Sequence, residues 1–152
     1  MKRVASLATV LLCVFCLVGT AMAQSATKAE CVTKAKEAAQ MIKQKGLDAE
    51  VAEINKKDGQ FVWKDTYVFL MDLNGTMLAH PMSPTLIGKN LLGTPDKAGK
   101  MFFQDFVAAA KKGEGWVTYL WPKPGSDTPV KKTTYIYRVP EKDLFVGAGI
   151  YE

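Results

Sequence analysis

The chain has 152 residues, 48% of them hydrophobic and 23% charged, with a formal net charge of +5. That size suits one domain able to bury its own core without a disulfide or a metal. The basic surplus is scattered over short pairs (Lys34/Lys36, Lys43/Lys45, Lys56/Lys57, Lys111/Lys112, Lys131/Lys132) and not gathered into a stripe, which argues against a nucleic-acid partner.

The chain begins with an address. Met1-Lys2-Arg3 is cationic, Val4 to Val18 is apolar apart from Ser6 and Thr9, and Ala21-Met22-Ala23 has the A-x-A cleavage pattern. The apolar run is shorter than the roughly 20 residues a bilayer span requires. Residues 1–23 are therefore expected to be a signal peptide cleaved after Ala23, which delivers residues 24–152 to the periplasm as one domain. Cys13 and Cys16 leave with it. Cys31 remains as a lone thiol, either buried and inert or open to an intermolecular disulfide. Neither a second apolar run nor an output module follows, so a free-standing exported domain is expected.

A helix is predicted over 27–45, where Thr27 and Glu30 have capping-box spacing and Val32, Ala35, Ala39 and Ile42 recur at helical period. Gly46 stops it, and a shorter helix covers Asp48 to Asn55. The period then changes to two. Tyr67 to Asp72 and Thr76 to His80 are predicted strands joined at Asn74-Gly75, a strong hairpin signal. Residues 81–97 hold Pro81, Pro84, Pro95, Gly88 and Gly93, which predicts a long structured loop with one helical turn near Pro84 to Ile87. Ala98 to Lys112 is predicted helical, with Phe102, Phe103, Phe106, Val107 and Ala110 as its buried stripe. Strands at Gly115 to Trp121, Thr133 to Val139 and Leu144 to Tyr151 complete the chain, and their short connections make antiparallel neighbours. The layout is α+β and PAS-like: a long N-terminal helix and a five-stranded antiparallel sheet, with a loop-and-helix insertion after the second strand.

Seven segments stand in chain order: Tyr67-Val-Phe-Leu-Met-Asp-Leu-Asn-Gly75, Leu78-Ala-His-Pro81, Leu86-Ile-Gly-Lys-Asn-Leu91, Asp96 to Gly99, Gly115-Trp-Val-Thr-Tyr-Leu-Trp-Pro122, Lys132-Thr-Thr-Tyr135 and Val146-Gly-Ala-Gly-Ile-Tyr151. Taken in this order they resemble the single Cache family of extracellular, PAS-like sensor domains, its second subgroup most closely. The resemblance implies a pocket on one side of the sheet that takes a small organic acid or similar metabolite. It also implies a signal passed through the N-terminal helix to a membrane chemoreceptor or sensor kinase, and Lys132 and Tyr135 match the family's K-x-x-Y signature.

Candidate ligand residues follow from both sources. Tyr119 and Trp121 share one face of their strand and carry polar tips on apolar bodies, suited to a pocket wall. Lys132 and Tyr135 offer an ammonium and a phenol to a carboxylate. They have opposite parity, so both reach one site only if Lys132 precedes the strand. His80, the lone histidine, enters the long loop and would make binding sensitive to pH near 6 to 7 if it touches the acid. Phe103 is the candidate roof. With one cysteine and one histidine after Ala23, neither a closed zinc site nor another cofactor is expected. No nucleophile elbow, zinc-protease helix or phosphate loop is present, so no enzyme is expected. The leading expectation is a periplasmic binding or sensing domain for a small carboxylate. The alternative is a ligand-independent module that docks a membrane receptor or sensor kinase. The first helix also offers a face for a homodimer.

Overall fold

Thr27 starts the first helix as its spacing predicts. Its hydroxyl accepts the Glu30 N–H at 3.2 Å, and the Glu30 carboxylate accepts the Thr27 N–H at 2.8 Å. The computed structural model describes residues 24–152. The expected signal peptide, residues 1–23, lies outside the described residues. Helix α1 runs Lys28–Lys45 and stops at Gly46, whose φ of 88° favours glycine. Helix α2 is Leu47–Ile54. Among the described residues no helix is long and apolar enough to cross a membrane.

The sheet is antiparallel, built from β1 (Val62–Trp63), β2 (Thr66–Asp72), β4 (Glu114–Pro122), β5 (Pro129–Arg138) and β6 (Leu144–Tyr151) in the order β1-β2-β6-β5-β4. Strand β3 (Met77–Ala79) pairs with β2 at Leu70 and Met71. The turn between β2 and β3 forms because the Asp72 carboxylate accepts the N–H groups of Asn74 and Thr76 at 2.9 and 2.8 Å. A 3-10 turn at Pro84–Leu86 lies in the long loop, and α3 spans Phe102–Lys111.

Strand alternation splits the core into two layers. On one face Val68, Leu70, Tyr135, Val146 and Ala148 pack against Cys31, Ala35, Ala38, Ala39 and Ile42 of α1. On the other, Tyr67, Phe69, Tyr119, Ile136 and Phe145 meet Phe102, Phe103 and Phe106 of α3. The expected PAS-like α+β layout is observed, with three differences. Val62 and Trp63 add a sixth, two-residue strand by pairing with Tyr67 and Thr66. Helix α3 starts four residues late because the Asp96 carboxylate binds the N–H groups of Ala98 and Lys100, both at 2.9 Å, and holds 96–100 as a loop. Strand β5 begins at Pro129 and not Thr133, so Lys132 is a strand residue. Cys31 takes the buried alternative: it is fully enclosed, and burial pushes its thiol pKa up to about 12.

Gly149 lets β6 lie close to β5. A Cβ there would fall 2.3 Å from Thr134 Oγ1 and 2.8 Å from the Thr133 carbonyl oxygen. Backbone cannot retreat cheaply, so Gly149→Ala is expected to lower unfolding free energy by about 1–3 kcal/mol in urea titration.

Candidate functional site

A small chamber lies between the sheet and α3. Its walls are Tyr67 and Phe69 from β2, Met77 from β3, His80, Phe102, Phe103 and Phe106 from α3, and Tyr119 and Trp121 from β4. The rings interlock. Phe102 stacks on Tyr119 with centroids 4.2 Å apart, and Phe69 stacks on Phe106 at 5.5 Å. The free volume is about 10 Å³, room for roughly one water molecule.

Three polar groups in this wall are individually fixed. Asn55, at the end of α2, accepts the His80 backbone N–H at 2.9 Å, which anchors the residue. His80 Nδ1 accepts the Ser83 N–H at 2.9 Å, so the ring proton belongs on Nε2. Burial, reinforced by the nearby Lys132 charge, lowers the His80 pKa to about 3. Trp121 Nε1 donates to the Tyr67 hydroxyl at 3.0 Å, and the Tyr119 hydroxyl pairs with Thr134 Oγ1 at 3.0 Å.

Lys132 is the unusual group. It is 1% exposed, and its Nζ lies 4.1 Å from the Tyr67 ring centroid and 4.6 Å from that of Tyr151. Two aromatic faces attract a cation. No ion pair within the described residues engages this ammonium. Burial lowers its pKa from 10.5 to about 7, a shift only partly opposed by the negative charge of Asp65. A buried cation without a counter-ion is costly.

Of the expected ligand residues, Tyr119, Trp121, His80 and Phe103 line the chamber together. Lys132 stands behind the Tyr67 ring, which is itself part of the chamber wall. Tyr135 is parted from them. It lies on the α1 face, stacks near Tyr137, and donates its hydroxyl to the Glu114 carboxylate at 2.5 Å. The reason is the parity conflict already visible in the sequence: Lys132 is inside β5, so a residue three positions on points the other way. The expectation that His80 titrates near pH 6 to 7 is corrected, since burial holds it at about 3; Lys132 beside the chamber and Glu50 on α2 are the groups that burial brings to about 7. Tyr67 and Tyr151 were not singled out from the sequence. Only their contact with Lys132 in the folded sheet sets them apart.

Comparison with known proteins brings further findings. The family model described as a Cache domain matches residues 23–152. The methyl-accepting chemotaxis protein McpP of Pseudomonas putida is 38% identical over 88 residues, covering 57% of this chain and 16% of that protein. The sensor histidine kinase MctS of Rhizobium johnstonii is 31% identical over 88 residues, covering 58% of this chain and 19% of that protein. The chain thus spans less than a fifth of the length of these curated relatives. A solved structure described as the basis for carboxylic acid recognition by a Cache chemosensory domain matches with a TM-score of 0.64 and 28% identity, over 81% of this chain and 86% of that one.

The buried ammonium has a stability signature. The folded pKa of Lys132 lies below its unfolded value, so between about pH 7 and pH 10.5 the unfolded chain binds more protons and stability rises with pH. Below pH 7 the cost is present in full. Lys132→Met is therefore expected to melt higher than the wild type at pH 6, by about 1–4 kcal/mol of unfolding free energy, with the gap shrinking by pH 9.5. Calorimetric melts at the two pH values measure it, and a variant less stable at both would contradict it.

Proposed function

We propose that this chain, which belongs to the Cache domain family, is a sensor-type binding domain for a small carboxylate and acts in the periplasm after its leader is cleaved at Ala23. The observation that carries the ligand class is the Lys132 ammonium, enclosed between two tyrosine rings with no counter-ion among the described residues. A carboxylate would complete it with a charge-assisted hydrogen bond. The chamber beside it is ring-walled and would take a short apolar tail once part of its wall has moved, while the Tyr67 hydroxyl and the Nε2–H of His80 are donors for the acid's second oxygen. The likeness to a Cache chemosensory domain described by its recognition of carboxylic acids supports the same class.

The curated relatives are a chemotaxis protein and a sensor histidine kinase, each matched over less than a fifth of its length, and one similar solved structure is described as the periplasmic sensor domain of a chemotaxis protein. We read this chain as non-enzymatic on that footing, and as serving a membrane receptor or sensor kinase. One observation favours a second reading, in which the scaffold docks such a partner without a ligand: the chamber has room for about one water.

A calorimetric screen of organic acids, amino acids and amines separates the two. Short monocarboxylates are expected to bind, and Lys132→Met to weaken them about 10- to 100-fold, the loss of a hydrogen bond to a charged group. A well-folded protein that binds none of the acids would favour docking. The affinity should also be greatest below pH 7 and fall by up to about tenfold per pH unit above it, because binding requires the protonated amine whose free pKa is about 7. An affinity that instead rises from pH 7 to pH 9 would remove Lys132 from the site.

A further inference from the structure

The carboxylate reading raises a question of access. Even a two-carbon acid exceeds one water in volume, so part of the chamber wall has to move. Of the side chains lining the chamber, Trp121 alone is partly exposed, and all the others are buried. Outside it lies a second space of about 240 Å³, a cleft between the loop at Met82-Ser83 and the loop at 122–127. Two side chains, Tyr67 and Trp121, border both spaces. They are joined by the 3.0 Å bond from Trp121 Nε1 to the Tyr67 hydroxyl.

We propose that the Trp121 indole is the gate between this outer vestibule and the aromatic chamber, latched by its hydrogen bond to Tyr67, a proposal that rests on the carboxylate-site reading for the nature of what passes. Trp121 is the penultimate residue of β4, an edge strand, and its backbone is paired with Val130 of β5, so what swings is the indole side chain, next to a loop in which Gly125 has a φ of 80°. When it swings, the Tyr67 hydroxyl loses its donor and turns to the incoming acid while its ring still faces Lys132. The vestibule wall carries both Lys123, ion-paired to Asp65 at 3.8 Å, and Asp127. Opening the gate breaks one neutral hydrogen bond and two edge-to-face contacts, with Phe102 and Phe103, whose ring centroids are 5.7 and 6.3 Å away.

The test uses the protein with Trp63→Phe and Trp116→Phe, which leaves Trp121 as the sole tryptophan. Without any ligand, Tyr67→Phe is expected to raise acrylamide quenching of Trp121 fluorescence several-fold. Unchanged quenching would overturn the latch. With acetate as the probe, Trp121→Ala is expected to speed both association and dissociation about tenfold, and Trp121→Phe to lie between it and wild type. Acetate rates indifferent to both changes would overturn the gate while leaving the binding site standing. Quenching that responds to Tyr67→Phe in a protein that binds no carboxylate would keep the gate and remove the ligand class.

Discussion

The enclosure of one lysine ammonium between two tyrosine rings is the constraint on which the rest of this structure turns. Nothing about folding favours it, because an amine taken out of water is stable only when neutral or when paired. Lys132 is held there by its place in the middle of the sheet, paired to Tyr119 on one side and Tyr151 on the other. The ring faces soften the cost without removing it. On the carboxylate reading proposed above, an anion would offset that cost.

The two layers of the core divide the labour. Against α1 the sheet meets Ala35, Ala38 and Ala39, small side chains that let the helix lie close to β5 and β6. That side is a packed support, and it takes Tyr135 and Cys31, while the Trp116 ring stays exposed at its border with Lys28 Nζ over it at 5.3 Å. Against α3 the sheet meets phenylalanines instead. Large rings tile with gaps at their edges, and the small chamber arises where Phe102, Phe103 and Phe106 meet Tyr119 and Trp121. The polar groups there are held one by one: His80 by Asn55 and Ser83, Tyr119 by Thr134, and Trp121 by Tyr67.

The electrostatics of the chamber follow from the same burial. Burial lowers the pKa of both His80 and Lys132, and the Lys132 charge lowers that of His80 further. The imidazole starts from the lower reference value and is driven far into the neutral form, while the amine is brought only to about 7. The single histidine of the chain is thereby a fixed hydrogen-bonding group, and of the two it is the lysine that responds to pH near neutrality.

Much of the fold was legible in the chain itself. Capping at Thr27 and Glu30, the stop at Gly46, the Asn74-Gly75 turn and the period-two runs depend on near neighbours, and local chemistry suffices to read them. The same alternation put Tyr119 and Trp121 on one face and raised the conflict between Lys132 and Tyr135. Long-range packing decided the remainder. Pairing with β2 made Val62-Trp63 a strand, and the reach of Asp96 to two N–H groups delayed α3. Burial in β5 made a lysine a neutral-pH group, and the meeting of β2, β6 and β5 brought Tyr67 and Tyr151 to its two sides. A residue's dielectric surroundings and its partners from distant strands are not written in its neighbours, which is why the sequence nominated the cation and only the folded sheet supplied its cage.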